Sequence, residues 1–149
     1  MLKNQIISVI GLGKMGLEIY NRLYNKNFNI YGYDINPDIK KINTHINFLE
    51  LDKIFELSDL ILFIIPSNEE IYPVIKKNKI KTNSVLLDLT TSMPNQTVKI
   101  NNYLSKKNVK YFDAAMSGGT TGAKNGTLTL MVGAKESQLS KFKIILNLI

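Results

Sequence analysis

Two glycine clusters in this sequence carry residue types and spacings that could do chemistry. The first is Gly11-Leu12-Gly13-Lys14-Met15-Gly16, in which Gly11, Gly13 and Gly16 take the spacing G-x-G-x-x-G. In that pattern the first glycine permits a tight turn and the second lets the backbone approach a pyrophosphate. The third lets a helix pack closely on a strand. The helix that follows offers unpaired N–H groups and a partial positive charge to the phosphate. Asp34 lies further on, at the end of the next apolar run. A carboxylate there accepts hydrogen bonds from ribose hydroxyls and repels a 2′-phosphate, so the expected ligand is NAD rather than NADP. The neighbouring Asn36-Pro37 also suits Asp34 to capping a turn.

The second cluster is Ser117-Gly118-Gly119, late in the chain. Two consecutive glycines can aim their N–H groups at one anion, such as a carboxylate, and Ser117 adds a hydroxyl donor. Residues 120–124 could form a helical turn closed by Asn125-Gly126 in a left-handed conformation. Asn-Gly is also a strong hairpin signal, and on spacing alone the hairpin is favoured. Two further stretches, Ile65-Pro66-Ser67-Asn68 and Leu89-Thr90-Thr91-Ser92, each follow an apolar run. Their hydroxyls and kinked backbone could line the two ends of a dinucleotide, or serve as ordinary turns.

These residues need a scaffold of alternating strands and helices. Gln5–Ile10 is a β-branched run that ends at glycine, a buried strand. Met15, Ile19 and Leu23 follow at helical spacing. Strands are expected at Phe28–Asp34, weakly at Ile46–Glu50, and then at Leu60–Ile65, Ser84–Leu89, Val109–Ala114 and Thr127–Gly133. A short helix starts at Asn36-Pro37 and a longer one runs from Pro94 to about Ser105. A last helix from about Ser137 carries Leu139, Phe142, Ile145 and Leu146 on one face. This order implies an α/β fold of the doubly wound Rossmann type, one domain over residues 1–149, with a mostly parallel sheet covered on both faces.

Composition excludes several alternatives. The 149 residues include no cysteine, which rules out disulfides and thiolate metal sites, and the single histidine, His45, sits in a polar stretch that reads as surface. The net charge is +7, almost all from lysine, because Arg22 is the one arginine. The lysines are scattered along the chain and arginine, the better reader of bases and phosphates, is nearly missing, so no nucleic-acid partner is expected. The longest apolar run, Leu60–Ile65, is too short to span a bilayer, and no signal-peptide pattern is visible. The expectation is a cytoplasmic protein with no membrane partner.

Taken together, GLGKMG, Asp34, DLTTSMP (Asp88–Pro94) and DAAMSGGTTGAKNGTLTLMVGA (Asp113–Ala134) resemble the β-hydroxyacid dehydrogenase family. That family includes 3-hydroxyisobutyrate dehydrogenase, tartronate semialdehyde reductase and 6-phosphogluconate dehydrogenase. The ending GTLTLMVG is more similar to the first two. The resemblance implies that Ser117, Gly118 and Gly119 hold the carboxylate of a small anionic hydroxyacid beside the nicotinamide. It implies that Thr90 and Thr91 sit at the nicotinamide end. Gly11, Leu12, Gly13, Lys14, Met15, Gly16, Asp34, Ile65, Pro66 and Ser67 would hold the rest of the cofactor. The family usually has proline where this chain has Ala115, which implies a less rigid loop. The family's catalytic lysine lies on a helix at the start of a second, all-helical domain, and no residue of this chain matches it. The expectation is therefore a cofactor domain that is inactive alone, with any homo-oligomer built through the helical domain. The alternative is a non-catalytic dinucleotide-binding module or sensor. FKIILNLI, apolar to its last residue, is expected to lack the partner it packs against.

Overall fold

The computed structural model describes residues 4–149. Six strands form one sheet: β1 (Ile6–Ile10), β2 (Asn29–Tyr33), β3 (Leu60–Phe63), β4 (Val85–Asp88), β5 (Lys110–Ser117) and β6 (Thr129–Val132), in the order β2-β1-β3-β4-β5-β6. The first five strands run parallel, and β6 pairs antiparallel with β5. β3 and β4 are buried throughout, as strands covered on both faces must be. Side chains alternate between the two faces. Leu60 and Leu62 of β3 join one apolar cluster, and Ile61 and Phe63 join the other.

Helices cover both faces. On one lie α1 (Lys14–Tyr24), α6 (Gly119–Asn125) and the short helices α7 (Glu136–Leu139) and α8 (Lys143–Leu146). α1 buries Gly16, Ile19, Tyr20 and Leu23, a stripe at helical period. On the other lie α3 (Leu51–Leu57), α4 (Ile71–Lys77) and α5 (Pro94–Ser105). α2 (Pro37–Ile42) starts as the sequence suggests, with Pro37 in its first turn and the Asn36 side chain accepting the Asp38 N–H at 3.0 Å.

Four expectations are corrected. The strand expected at Ile46–Glu50 shrinks to a single parallel bridge, Gly32 to Phe48, because α3 begins at Leu51 and pulls the chain away from the edge of β2. Residues Gly119–Asn125 form a helix rather than a tight hairpin, with Gly126 in the left-handed region (φ 67°) as its C-cap. The single last helix breaks into α7, a 3₁₀ turn at Ser140–Phe142, and α8. Its buried residues Leu139, Phe142 and Ile145 recur every third position, the period of a 3₁₀ helix rather than an α-helix. The apolar tail has its packing partner within this domain: Phe142, Ile145 and Ile149 are buried in the cluster beneath α1. Arg22 of α1 fastens that segment by donating from Nε to the Leu148 carbonyl.

Candidate functional site

The chain leaves β1 for β2 on one side and for β3 on the other, so a crevice opens outside the carboxyl ends of β1 and β3. A cleft of about 640 Å³ lies there. Gly11, Gly13, Lys14, Met15 and Gly16 line it from the β1–α1 turn, with Asp34 at the end of β2, Ile65 and Pro66 after β3, and Thr90 and Thr91 after β4.

The turn is shaped by contact with its own neighbours. Gly11 adopts φ +93°, and a Cβ there would overlap the Ile64 carbonyl. A Cβ on Gly16 would overlap the Gly11 carbonyl oxygen, so α1 rests on the turn at backbone distance. Gly13 differs: a Cβ there would meet nothing within 4 Å, and the residue is exposed to the cleft. Gly13 is also the N-cap of α1, and no side chain caps the helix or supplies an acid in its first turn. The leading N–H groups of α1 are thus left for something else to satisfy.

Asp34 stands at the same rim, half-buried. Its Oδ2 accepts the Leu12 N–H at 2.7 Å and its Oδ1 accepts the Asn36 N–H at 2.8 Å. It caps the next turn while lining the cleft. Leu12 contributes that N–H alone, because its side chain is in the core. Ser67 does not line the cleft; its hydroxyl oxygen accepts the Glu69 N–H at 3.2 Å and caps a 3₁₀ turn.

Beneath Thr90 and Thr91 is a polar cluster centred on Asp88, which is fully buried at the end of β4. Asp88 Oδ1 accepts the N–H of Thr90 at 3.0 Å and its hydroxyl at 2.5 Å. Oδ2 accepts the hydroxyls of Ser92 and Tyr111, each at 2.6 Å. Burial, reinforced by the bond to Asp88, pushes the Tyr111 phenol well above its ordinary value. Asn68, also buried, ties the neighbouring turn to this one: its Oδ1 accepts the Met93 N–H at 3.2 Å. The turn that carries Thr90 and Thr91 is thus held from below by charge and amide.

In the sequence Asp88 is marked only as a carboxylate interrupting the otherwise apolar run Val85–Leu89. Tyr111 and Asn68 were hidden in strand alternation and turn composition. Ser117, Gly118 and Gly119 lie at the carboxyl end of β5, the same end of the sheet, and are exposed. Their neighbour Met116 lines the cleft, while the three residues themselves stand beside it. Gly118 and Gly119 both take positive φ, 127° and 61°. His45 is exposed, and among the described residues no cluster of His, Cys, Asp or Glu could hold a metal ion.

A doubly wound sheet with a glycine turn, an uncapped helix and an acidic rim at its switch point defines a dinucleotide-binding domain. Residues 6–149 match the family described as the NAD binding domain of 6-phosphogluconate dehydrogenase, and the chain belongs to that family. It is 30% identical over 157 residues to 2-(hydroxymethyl)glutarate dehydrogenase of Eubacterium barkeri, with 100% of this chain and 52% of that protein covered. It is 24% identical to 2-hydroxy-3-oxopropionate reductase of Escherichia coli (strain K12), covering 96% of this chain and 51% of the relative. Among solved structures, 3-hydroxyisobutyrate dehydrogenase of Mycobacterium tuberculosis with L-serine superposes with a TM-score of 0.89 at 21% identity, covering 97% of this chain and 51% of that one. The chain spans about half the length of the relatives it matches.

Proposed function

We propose that this domain is the cofactor half of an NAD-linked dehydrogenase of small β-hydroxyacids. The observation that carries the reading is the juxtaposition, in one cleft, of the open Gly13, the uncapped start of α1 and the fixed Asp34 carboxylate. The space a Cβ would fill at Gly13 suits a pyrophosphate, and the N–H groups of Lys14 and Met15 with the Lys14 ammonium suit its charge. Asp34 is already oriented by two backbone N–H groups, and the remaining lone pairs of its carboxylate suit ribose hydroxyls. Its charge disfavours a 2′-phosphate, which selects NAD over NADP. Ile65 and Pro66 wall the adenosine side, and Thr90 and Thr91 take the nicotinamide side.

A bound nicotinamide would exchange hydride with the substrate carbon. The residues of this chain bind and orient. Asp88 keeps the Thr90–Ser92 turn in one conformation, and Ser117 with the N–H groups of Gly118 and Gly119 receives the substrate carboxylate. No residue of this chain is assigned the proton of the substrate hydroxyl; that role goes to a lysine of the helical domain the family resemblance implies. The names of the relatives, a hydroxymethyl-glutarate and a hydroxy-oxopropionate enzyme among them, support a small carboxylate with a nearby hydroxyl or carbonyl as substrate.

Titration of the chain with NADH and NADPH, followed by nicotinamide fluorescence, tests the reading. NADH should bind at least about tenfold more tightly, and Asp34→Ser should close most of that gap, since losing one charge-assisted hydrogen bond costs about 1.5 kcal/mol or more. Failure to bind either cofactor, or a preference for NADPH, refutes it. Oxidation of a β-hydroxyacid by this chain without a helical domain would overturn the division of labour.

A further inference from the structure

The net charge of +7 is not spread over the molecule. Residues 71–112 hold eight of the 19 basic residues and one of the 12 acidic ones, Asp88, leaving eleven of each sign in the rest of the chain. That one carboxylate is fully buried. The entire charge excess therefore belongs to α4, β4, α5, their connections and the start of β5.

Most of it also gathers at one end. In a parallel sheet the covering helices run opposite to the strands, so the last turn of α4 and the C-terminus of α5 reach the amino ends of β4 and β5. Lys76, Lys77, Lys79, Lys106, Lys107 and Lys110 all fall there, and all are exposed. The two connections touch: the Asn83 N–H donates to the Asn108 carbonyl at 2.8 Å, and the Lys110 N–H to the Ser84 carbonyl at 3.1 Å. Among the described residues none of the six forms an ion pair. Two carboxylates toward this end are already engaged, Asp59 by Lys81 at 2.9 Å and Glu56 by Lys53 at 2.6 Å, although Glu56 also feels Lys79. This end of the sheet is the one opposite the cofactor cleft.

We propose that the amino end of β4 and β5 docks the phosphate backbone of a nucleic-acid duplex without choosing its sequence. Lysines scattered along the chain become a spatial cluster once the sheet forms, and on that ground the proposal departs from the expectation drawn from the linear sequence. Lysine without arginine supplies point charges for phosphate and no fork for base edges, so affinity comes without base selection. Exposed amides and hydroxyls at Asn83, Asn108 and Thr82 sit among the lysines and suit phosphate and sugar oxygens. The apolar residues of these connections, Ile80 and Val109, are buried, so the surface has nothing to insert into a lipid bilayer. It also lacks the exposed apolar or arginine anchors on which protein interfaces rely.

The test uses the 149-residue chain, a short fluorescent DNA duplex of mixed sequence, and anisotropy over a range of salt. The logarithm of affinity should fall with the logarithm of salt by about 0.9 for each phosphate contacted. A variant with Lys76, Lys77, Lys106 and Lys107 changed to Gln should bind at least about tenfold more weakly at low salt and lose about three to four from that slope. It should keep the NADH affinity of the parent chain, whatever that affinity is, so the outcome stands apart from the cofactor reading. A control with Lys40, Lys41, Lys124 and Lys135 changed to Gln should bind the duplex like the parent. Equal losses in the two variants would reduce the effect to net charge and overturn the proposal. So would a flat salt response, or tighter binding to mixed phosphatidylserine–phosphatidylcholine vesicles than to the duplex.

Discussion

The two glycine loops at the carboxyl end of the sheet are built from the same residue type for different reasons. In the first, Gly11 and Gly16 are enforced from within: each would drive a Cβ into a neighbouring carbonyl of the domain itself. In the second, Ser117, Gly118 and Gly119 are exposed, and a Cβ on Gly119 would meet nothing within 4 Å. The first loop holds a helix on a strand. The second presents backbone to whatever approaches from outside. A glycine-rich motif is therefore not one kind of observation; what surrounds each Cα decides whether it speaks of packing or of a ligand.

The largest effect is expected at Gly16. Gly16→Ala should cost about 3 kcal/mol, because the overlap is with backbone that cannot rotate away. A urea melt that changed by less than about 1 kcal/mol would erase the distinction between the loops. The Thr90–Ser92 turn lies at the same cleft but is held by buried charge, and it is tested by alkali. The Tyr111 phenol keeps its proton in the folded state above its ordinary value, whereas an unfolded tyrosine releases it near pH 10. Stability should be intact below pH 10 and decline above it, by about 1.4 kcal/mol per pH unit for one such group. Tyr20, raised by burial as well, adds to the decline, so Tyr111→Phe should lessen the alkaline slope by one proton without abolishing it. The smallest effects separate binding from packing. Gly13→Ala should leave stability within about 0.5 kcal/mol of the parent and weaken NADH about tenfold. Gly119→Ala, strained by its φ of +61°, should cost about 1 kcal/mol of stability and leave NADH binding unchanged.

Much of the scaffold is legible because the central strands are buried on both faces. LILF and VLLD have no polar alternation to confuse them, and Asn36-Pro37 and Pro94 punctuate helices where the structure starts them. The misses occur where tertiary context replaces local pattern. Ile46–Glu50 has strand composition, but it makes a single bridge with β2, Phe48 to Gly32, before α3 begins. Asn125-Gly126 carries a hairpin signal, and β5 and β6 are indeed antiparallel neighbours, yet a two-turn helix is folded between them. In the site, the glycine turn and Asp34 follow from spacing because they are consecutive elements. The Asp88 cluster does not, because Tyr111 and Asn68 reach the same turn from strands and loops distant in sequence.

The backbone contact between Gly16 and the Gly11 carbonyl has a consequence for descent. A lineage that abandoned the cofactor would still be bound to keep both glycines, because losing either damages the fold whether or not anything occupies the cleft. Gly13 carries no such obligation, and it would be the first of the three to drift once selection on the ligand relaxed. When homologues of this domain are compared, survival of the outer pair testifies to ancestry, and survival of the middle glycine testifies to continued use.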